Sequence, residues 1–358
     1  MVYVVEFSPD GSQFAIGTSN GMLSLWDAES GRLIKTFVEG GRQQARGDHV
    51  DDGRMDIELG PGFTDEVPIY AIAFSPDGCR IAAGGQSGRF ETSMDDALGV
   101  QTKFKGGMIR IWDVSTNRRV LMFEEHTTPV RGMVYDLEGK RIASIDEAYE
   151  FIVWRPDTGR TIALIGADNH LHSQGGYSPQ IMNAFSADTL RAASIMNDQP
   201  IDGRRYTSTV KLWDVSESRF RALKERAVLG DSSARSVALS PDGRRVILGC
   251  VDHTLRMIEF STGQVVQIAR VASESSLYFL DYRPDGSIFV VGDSQGVLRV
   301  WDAEELKLLE TIQGPEGDVR AVAFRPGSLR VVTEGASLPM GRVIPKERRL
   351  ILWEHILK

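Results

Sequence analysis

Short apolar runs separated by polar turns recur along the whole chain. The first copy reads VYVVEF, the turn SPDG, QFAIGT, the pair Asn20-Gly21, LSLWD, the turn AESG and RLIKTF. In SPDG, proline presets the backbone at the second turn position and glycine closes the turn. Asn-Gly favours a tight hairpin, because both residues accept a positive φ. One copy therefore predicts four antiparallel strands, a to d, in a meander.

The same phrase returns until seven third strands can be counted, and each ends at a large apolar residue. The positions are Trp26, Trp112, Trp154, Trp213, Ile258, Trp301 and Trp353. All six tryptophans of the chain thus share one repeat position. A buried indole removes roughly 150–250 Å² of ring from water. We therefore predict a structural role for these seven side chains, between neighbouring sheets.

A single sheet that is apolar on both faces cannot bury them alone, whereas radial stacking of several sheets buries every face. We predict an all-β chain, a seven-bladed β-propeller of four-stranded antiparallel blades. A three-stranded last blade is the alternative, because the sequence ends with LILWEHILK, just past the third strand of the last copy. One domain, 1–358, is predicted. Its blades cover about 2–37, 68–123, 129–165, 181–223, 234–269, 276–312 and 318–356.

Trp-Asp pairs close four of the third strands, and these pairs resemble the signature of the WD40-repeat family. They are Trp26-Asp27, Trp112-Asp113, Trp213-Asp214 and Trp301-Asp302. The resemblance implies a propeller fold and a mostly non-enzymatic platform for partner proteins. It also implies a buried tetrad of Asp, His, Ser or Thr, and Trp in each blade.

That tetrad is eroded in this sequence. His126 stands at the histidine position of the third unit, but Ala148 stands at its aspartate position. Asp252 stands at the aspartate position of the fifth unit, where Ile258 replaces the tryptophan. We therefore predict that no unit has the full set, and that apolar packing holds the blades together.

The longest connections all fall at one end of the predicted strands, where the b–c and d–a connections lie. They are 38–67, 86–107, 166–180, 197–208 and 334–348. Long loops on a rigid scaffold usually carry binding function, although drift in loop length costs little closure entropy. We call this end the top face and predict that it binds a protein or peptide. The candidate partner-binding residues are Asp48, His49, Asp51, Asp52, Asp95, Asp96, His170, His172, Arg204 and Arg205.

Net charge limits the classes of partner, and cysteine content indicates the compartment. The net charge of −8 argues against a nucleic acid or an anionic membrane as the main partner, since both select for basic surfaces. The acidic side chains of the top-face loops suggest a basic partner segment. Two cysteines make a disulfide framework improbable and indicate a reducing compartment, so a cytoplasmic location is predicted. The oligomeric state stays open.

No catalytic residue, cofactor or metal is predicted. GTSNG at 17–21 matches a nucleophile motif by letters, but it joins two strands instead of a strand and a helix. His170, His172 and Asp168, with His49 from a neighbouring loop, are a weak metal-ligand set, because such residues are usually plain polar surface. The alternative to a binding scaffold is an enzymatic propeller, such as a metal-assisted hydrolase, with its site at the channel mouth.

Overall fold

The computed structural model describes most of the chain, apart from several connecting segments. The described residues are 2–37, 50–51, 54–55, 67–87, 90–95, 99–104, 106–148, 150–165, 183–186, 191–198, 207–214, 221–223, 233–272, 276–313, 318–324, 331–336 and 349–353. Within these ranges the regular structure is all β-strand. No helix in this part of the chain is long and apolar enough to cross a membrane.

The first half of the chain forms three four-stranded antiparallel sheets and two small hairpins. Blade one contains β1 (Val2–Phe7), β2 (Gln13–Thr18), β3 (Leu23–Asp27) and β4 (Leu33–Phe37). A small hairpin follows, of β5 (Val50–Asp51) and β6 (Arg54–Met55). Blade two contains β7 (Ile69–Phe74), β8 (Arg80–Gln86), β11 (Gly107–Asp113) and β12 (Arg118–Phe123). Between β8 and β11 the chain forms a separate hairpin, in which β9 (Phe90–Asp95) pairs with β10 (Gly99–Phe104). Blade three contains β13 (Val130–Tyr135), β14 (Ile142–Asp146), β15 (Phe151–Trp154) and β16 (Thr161–Ile165).

The second half adds three more four-stranded sheets and one smaller sheet. Blade four contains β17 (Asn183–Phe185), β18 (Arg191–Asp198), β19 (Thr207–Asp214) and β20 (Arg221–Leu223). Blade five contains β21 (Ala234–Leu239), β22 (Arg245–Cys250), β23 (Thr254–Glu259) and β24 (Gln264–Arg270). Blade six contains β25 (Leu277–Tyr282), β26 (Ile288–Asp293), β27 (Val297–Asp302) and β28 (Leu308–Gln313). The terminal sheet contains β29 (Asp318–Phe324), β30 (Val331–Ala336) and β31 (Arg349–Trp353).

The prediction of seven four-stranded blades is wrong, because the structure has six blades. The terminal sheet has three strands, and no described strand pairs with the outer edge of β31. The repeat count rested on turns and on third-strand tryptophans. Those signals report strands a, b and c of a copy, but they carry no information about its fourth strand.

The first strand of each sheet lies on the inside of the ring. Contacts run from β1 to β7, from β7 to β13, and onward through β17, β21, β25 and β29 back to β1. These innermost strands therefore surround the central channel expected of a propeller. Their amino-terminal ends point to the top face, since the a–b turns lie at the other end of the strands.

Apolar clusters fill the spaces between successive sheets. Between blades two and three, Ile109 and Phe123 from one sheet pack with Ile152 and Trp154 from the next. Comparable clusters lie between blades one and two, three and four, four and five, and five and six. In each of these junctions the Trp or Ile at the end of the third strand belongs to the later blade. Each junction has a core of its own as a result.

Polar turns with local hydrogen bonds close the a–b connections. In blade one, the backbone N–H of Gly11 donates to the carbonyl of Ser8 at 2.8 Å, and Gly11 has a φ of 69°. The carboxylate of Asp10 accepts bonds from the Ser8 hydroxyl and from Ser12. These bonds, the Ser8 hydroxyl first, lower the pKa of Asp10. The repeated SPDG phrase is thus explained as a turn that only glycine closes without strain.

Candidate functional site

The strand bounds show which end of the propeller carries the long connections. At the a–b and c–d end, consecutive strands are separated by short segments such as 8–12, 28–32 and 260–263. At the b–c and d–a end, the chain runs through segments as long as 166–182 and 337–348. In an antiparallel meander these two sets of connections lie at opposite ends. The top face is therefore the end that carries the longest connections.

Two of the ten predicted partner-binding residues lie in described strands, and eight lie outside the described residues. Asp51 is the second residue of β5, and Asp95 is the last residue of β9. The remaining eight lie outside the described residues: Asp48, His49, Asp52, Asp96, His170, His172, Arg204 and Arg205. Their grouping into one surface stays a prediction.

The segment 86–107 contains regular structure that the sequence analysis treated as a loop. Strands β9 and β10 pair antiparallel along their whole length, from Asp95 opposite Gly99 to Phe90 opposite Phe104. The alternation of Val100, Thr102 and Phe104 was the signal available in the sequence. Blade two thus carries a two-stranded hairpin on its top face.

Three side chains missed by the sequence analysis stack at the upper end of the channel. The rings of Tyr3 and Tyr70 lie 5.0 Å apart between centroids, and the guanidinium of Arg131 lies 3.7 Å above the centre of the Tyr70 ring. Arg131 also forms an ion pair with Glu147. Burial raises the pKa of Tyr70 and lowers that of Arg131. A row of aromatic and guanidinium groups thus crosses from blade one to blade three.

Two carboxyl groups occupy equivalent positions on the two innermost strands that flank β29. Glu6 on β1 precedes Phe7, and Asp281 on β25 precedes Tyr282. Burial, with the nearby Asp281 carboxylate as the smaller cause, raises the pKa of Glu6 to about 8. Burial also raises the pKa of Asp281 to about 7. The pair therefore holds protons near neutral pH that ordinary carboxyl groups would have lost.

Blade three contains a buried polar network that joins its histidine to its tryptophan. The Nε2 of His126 lies 2.7 Å from the Ser144 hydroxyl oxygen, which also accepts a bond from Trp154 Nε1 at 3.1 Å. The Nδ1 of His126 lies 3.5 Å from Asp146 Oδ2, and both side chains are fully buried. The four groups form the polar tetrad that the family resemblance implies.

The prediction that no unit has the full tetrad is therefore wrong for blade three. Ala148 stands where the aspartate was sought, but Asp146, the last residue of β14, supplies the carboxylate. Its Oδ1 accepts bonds from the backbone N–H groups of Ala148 at 3.0 Å and Glu150 at 2.8 Å. These bonds hold the carboxylate inside the blade at a position that spacing alone did not identify.

The same network contains the only group of potential metal ligands among the described residues. His126, Asp146 and Glu150 each offer a ligand atom, and these atoms lie within 4.8 Å of one another. However, Asp146 already accepts three backbone bonds, including one from Thr128 N–H, and His126 contacts Ser144. Because these partners satisfy the carboxylate and orient the imidazole, we interpret the cluster as a structural network that stabilises blade three and not as a metal site.

Blade six uses a buried ion pair at the equivalent place. Asp293 ends β26 as Asp146 ends β14, and its Oδ2 accepts a bond of 2.7 Å from an Nη of Arg299. The second Nη of Arg299 donates to the carbonyl of Ala272 at 3.3 Å. Both charged side chains are almost completely buried. Blade six thus satisfies its buried carboxylate with an arginine instead of a histidine.

Comparison with known proteins finds a family model and several relatives that match parts of this chain. The family model described as WD domain, G-beta repeat matches residues 1–27, 61–90 and 266–302. The periodic tryptophan protein 2 homolog of Dictyostelium discoideum is 26% identical over 265 residues, which cover 73% of this chain and 22% of the relative. The nuclear distribution protein nudF of Aspergillus niger is 25% identical over 273 residues, covering 73% of this chain and 60% of the relative.

A third relative matches a smaller share of the chain. The cilia- and flagella-associated protein 52 of Homo sapiens is 20% identical over 256 residues, covering 64% of this chain and 41% of the relative. In each of the three cases this chain spans less than two thirds of the relative's length. The similarity therefore covers only part of each relative.

Proposed function

We propose that this chain, a WD40-repeat propeller, is a non-catalytic scaffold that binds a protein or peptide through its top face. WD40 propellers are typically protein-interaction modules, and their rigid blades position variable connections at the two ends. The observation that carries the proposal is the one-sided distribution of connection length. Long segments occur at the b–c and d–a end, while the other end keeps short turns.

The chemistry of the long segments supports a basic partner segment. The segment 38–67 carries eight acidic residues against three arginines, and the whole chain has a net charge of −8. Opposite charge on a partner would steer the encounter and strengthen binding at low salt. The same charge disfavours a nucleic acid or an anionic membrane as the main partner. The low cysteine content supports a cytoplasmic location.

Replacing both large top-face segments should abolish partner capture without unfolding the propeller. In the test variant, short Gly/Asn turns replace 38–67 and 87–106. The second replacement is closed directly by Gln86 and Gly107, which already face each other across β8 and β11. We expect at least a tenfold loss of affinity for captured partners, measured by quantitative mass spectrometry and then by titration with each purified partner.

Two controls make this experiment decisive. Because β31 lies beside β6, the melting temperature and the far-ultraviolet spectrum must show that the trimmed chain is folded. A second variant keeps the loop length and changes only charge, with Asp48, Asp51 and Asp52 replaced by asparagine. If the trimmed, folded propeller captures the same partners with unchanged affinity, the proposed surface is wrong.

A further inference from the structure

The fourth strand forms the outer edge of each blade, and the fourth strand of blade five, β24, differs from the others. No described strand pairs with the outer edge of β4, β12, β16, β20, β24 or β28. An edge strand presents a row of unpaired backbone N–H and C=O groups, to which another strand can add. With seven residues β24 is the longest of the six, and all but one of its residues are exposed.

Charged side chains commonly protect an edge strand against the addition of another strand. Each of the other five has a charged side chain in the strand or hydrogen bonded to it: Lys35 in β4, Arg118 and Arg119 in β12, Glu125 bonded to Thr161 of β16, Arg221 in β20 and Glu310 in β28. In β24 the residues 264–269 carry no charge. Val265, Val266 and Ile268 are 38%, 52% and 62% exposed. The edge of β24 is therefore apolar and lacks this protection.

Neither a bulge nor a long connection protects this edge in a way that the other blades lack. Ile258 lies opposite Val265 and Met257 opposite Gln267, which leaves Val266 as the extra residue of a bulge. The strands β4, β12, β16 and β28 have a bulge at the same place. The connections at the two ends of β24 are the short segments 260–263 and 271–276. Another strand can therefore approach β24 from the side.

The sequence of β24 is complementary to itself in the antiparallel direction. Pairing centred on Gln267 brings the two copies of Gln267 face to face, each Val266 opposite an Ile268, and each Val265 opposite an Ala269. Moving the centre by one residue in either direction places a valine opposite a polar side chain. Because matched cross-strand pairs stabilise a sheet, one register of self-pairing is favoured.

We propose that the outer edge of blade five is a homodimer interface, in which β24 pairs antiparallel with β24 of a second copy of this chain. A two-fold axis passes through Gln267, and the two four-stranded blades join into one continuous sheet. Such an interface uses the same surface on both copies and therefore closes at two. It lies on the circumference of the propeller and leaves the top face of each copy accessible to a partner.

The charge of the chain predicts how salt affects this association. Each copy has a net charge of −8, so the two copies repel each other. Salt screens this repulsion, with a Debye length of about 10 Å at 0.1 M. The central pairs of the contact are uncharged and lose little from screening. Dimerisation should therefore strengthen as salt rises, whereas capture of a basic partner by the acidic top-face segments should weaken.

Sedimentation equilibrium of the full chain tests the dimer. We expect a dissociation constant on the order of 10 μM, since one pair of edge strands is smaller than a standard interface. Gln267→Lys places two ammonium groups face to face and should weaken dimerisation about tenfold or more. The control Val120→Lys adds the same charge at an exposed position of β12 and should leave the dissociation constant unchanged. Both variants should keep the melting temperature of the unmodified monomer.

Cysteine cross-linking tests the register. Opposite residues of an antiparallel pair have Cα atoms about 4.5–5.5 Å apart, a distance that a disulfide can span. In a chain whose exposed Cys79 is replaced by serine, Gln267→Cys should form a disulfide between two copies when oxidised glutathione is added, with release of two glutathione thiols. Val120→Cys in the same background is the matched control and should stay largely uncross-linked.

Three results would overturn the dimer. They are a chain that stays monomeric at about ten times the expected dissociation constant, equal dissociation constants for Gln267→Lys and Val120→Lys, and equal cross-linking of Gln267→Cys and Val120→Cys. None of them touches the proposed function. A monomeric chain that still loses its partners when the top-face segments are trimmed would refute the dimer and leave the binding scaffold standing.

Discussion

Replacing Trp154 by alanine should lower the free energy of unfolding by roughly 4 kcal/mol. The Trp154 side chain is fully buried, and its ring stacks on Phe123 from the preceding blade with 4.2 Å between centroids and an interplanar angle of 4°. Its Nε1 also donates to the buried Ser144 hydroxyl. The substitution removes a stacked ring, opens a cavity between two sheets and deprives the His126–Ser144 pair of a donor.

Two companion variants separate these effects. Trp154→Phe keeps a ring but loses the Nε1 donor, so it should cost less, about 1–2 kcal/mol. Ile162→Ala, at an exposed position of β16 in the same blade, should cost under about 0.5 kcal/mol. Urea unfolding followed by circular dichroism gives all three values. A loss below 1 kcal/mol for Trp154→Ala would show that the junction does not depend on this ring.

The propeller should lose stability as the pH rises from about 4.5 towards 8, and Glu6→Gln should remove much of that loss. The pKa of Glu6 is raised from 4.5 to about 8. Between these values the folded chain keeps a proton that the unfolded chain has released, so raising the pH favours unfolding. The stabilisation is complete below about pH 4.5 and is lost as the pH passes through the folded pKa.

Glutamine resembles a protonated glutamate and cannot lose a proton. At pH 8 we expect Glu6→Gln to be more stable than the unmodified chain by roughly 2 kcal/mol, a value reduced for the screening of a partly exposed side chain. At pH 4 the two should unfold alike. Glu304→Gln, an exposed position in the turn before β28, should change neither value. Equal stability of Glu6→Gln and the unmodified chain at pH 8 would contradict the raised pKa of Glu6.

Local patterns were sufficient to predict most of the strands and turns. The SPDG phrase and the Asn20-Gly21 pair specify tight turns by backbone chemistry alone, so their positions can be read without knowing the fold. The position of the repeated tryptophan likewise indicated the junctions between sheets. These signals act over a few residues, and a sequence repeat makes each of them visible several times.

The errors concern interactions that no single copy of the repeat contains. The turns and third-strand tryptophans report only three strands of a copy, so counting them overestimated the number of four-stranded blades. Asp146 was missed because its role depends on where β14 ends. Tyr3, Tyr70 and Arg131 come from three different copies and meet only when the innermost strands surround one channel. Each of the three is the second residue of its innermost strand, which the sequence repeat shows. Their contacts with one another, however, depend on how the strands are arranged around the channel.

The placement of the apolar clusters between sheets makes the chain a series of coupled junctions. Since each of the five junction clusters between blades one and six draws on two successive sheets, the sheets that they join share their apolar packing. Amide protons of an inner strand should therefore exchange with solvent together with those of the adjacent sheet, as one cooperative unit. A substitution that weakens the packing at one junction should also weaken the next junction, because the two share a sheet. The stability of the chain should therefore depend on the series of junctions more than on any single sheet.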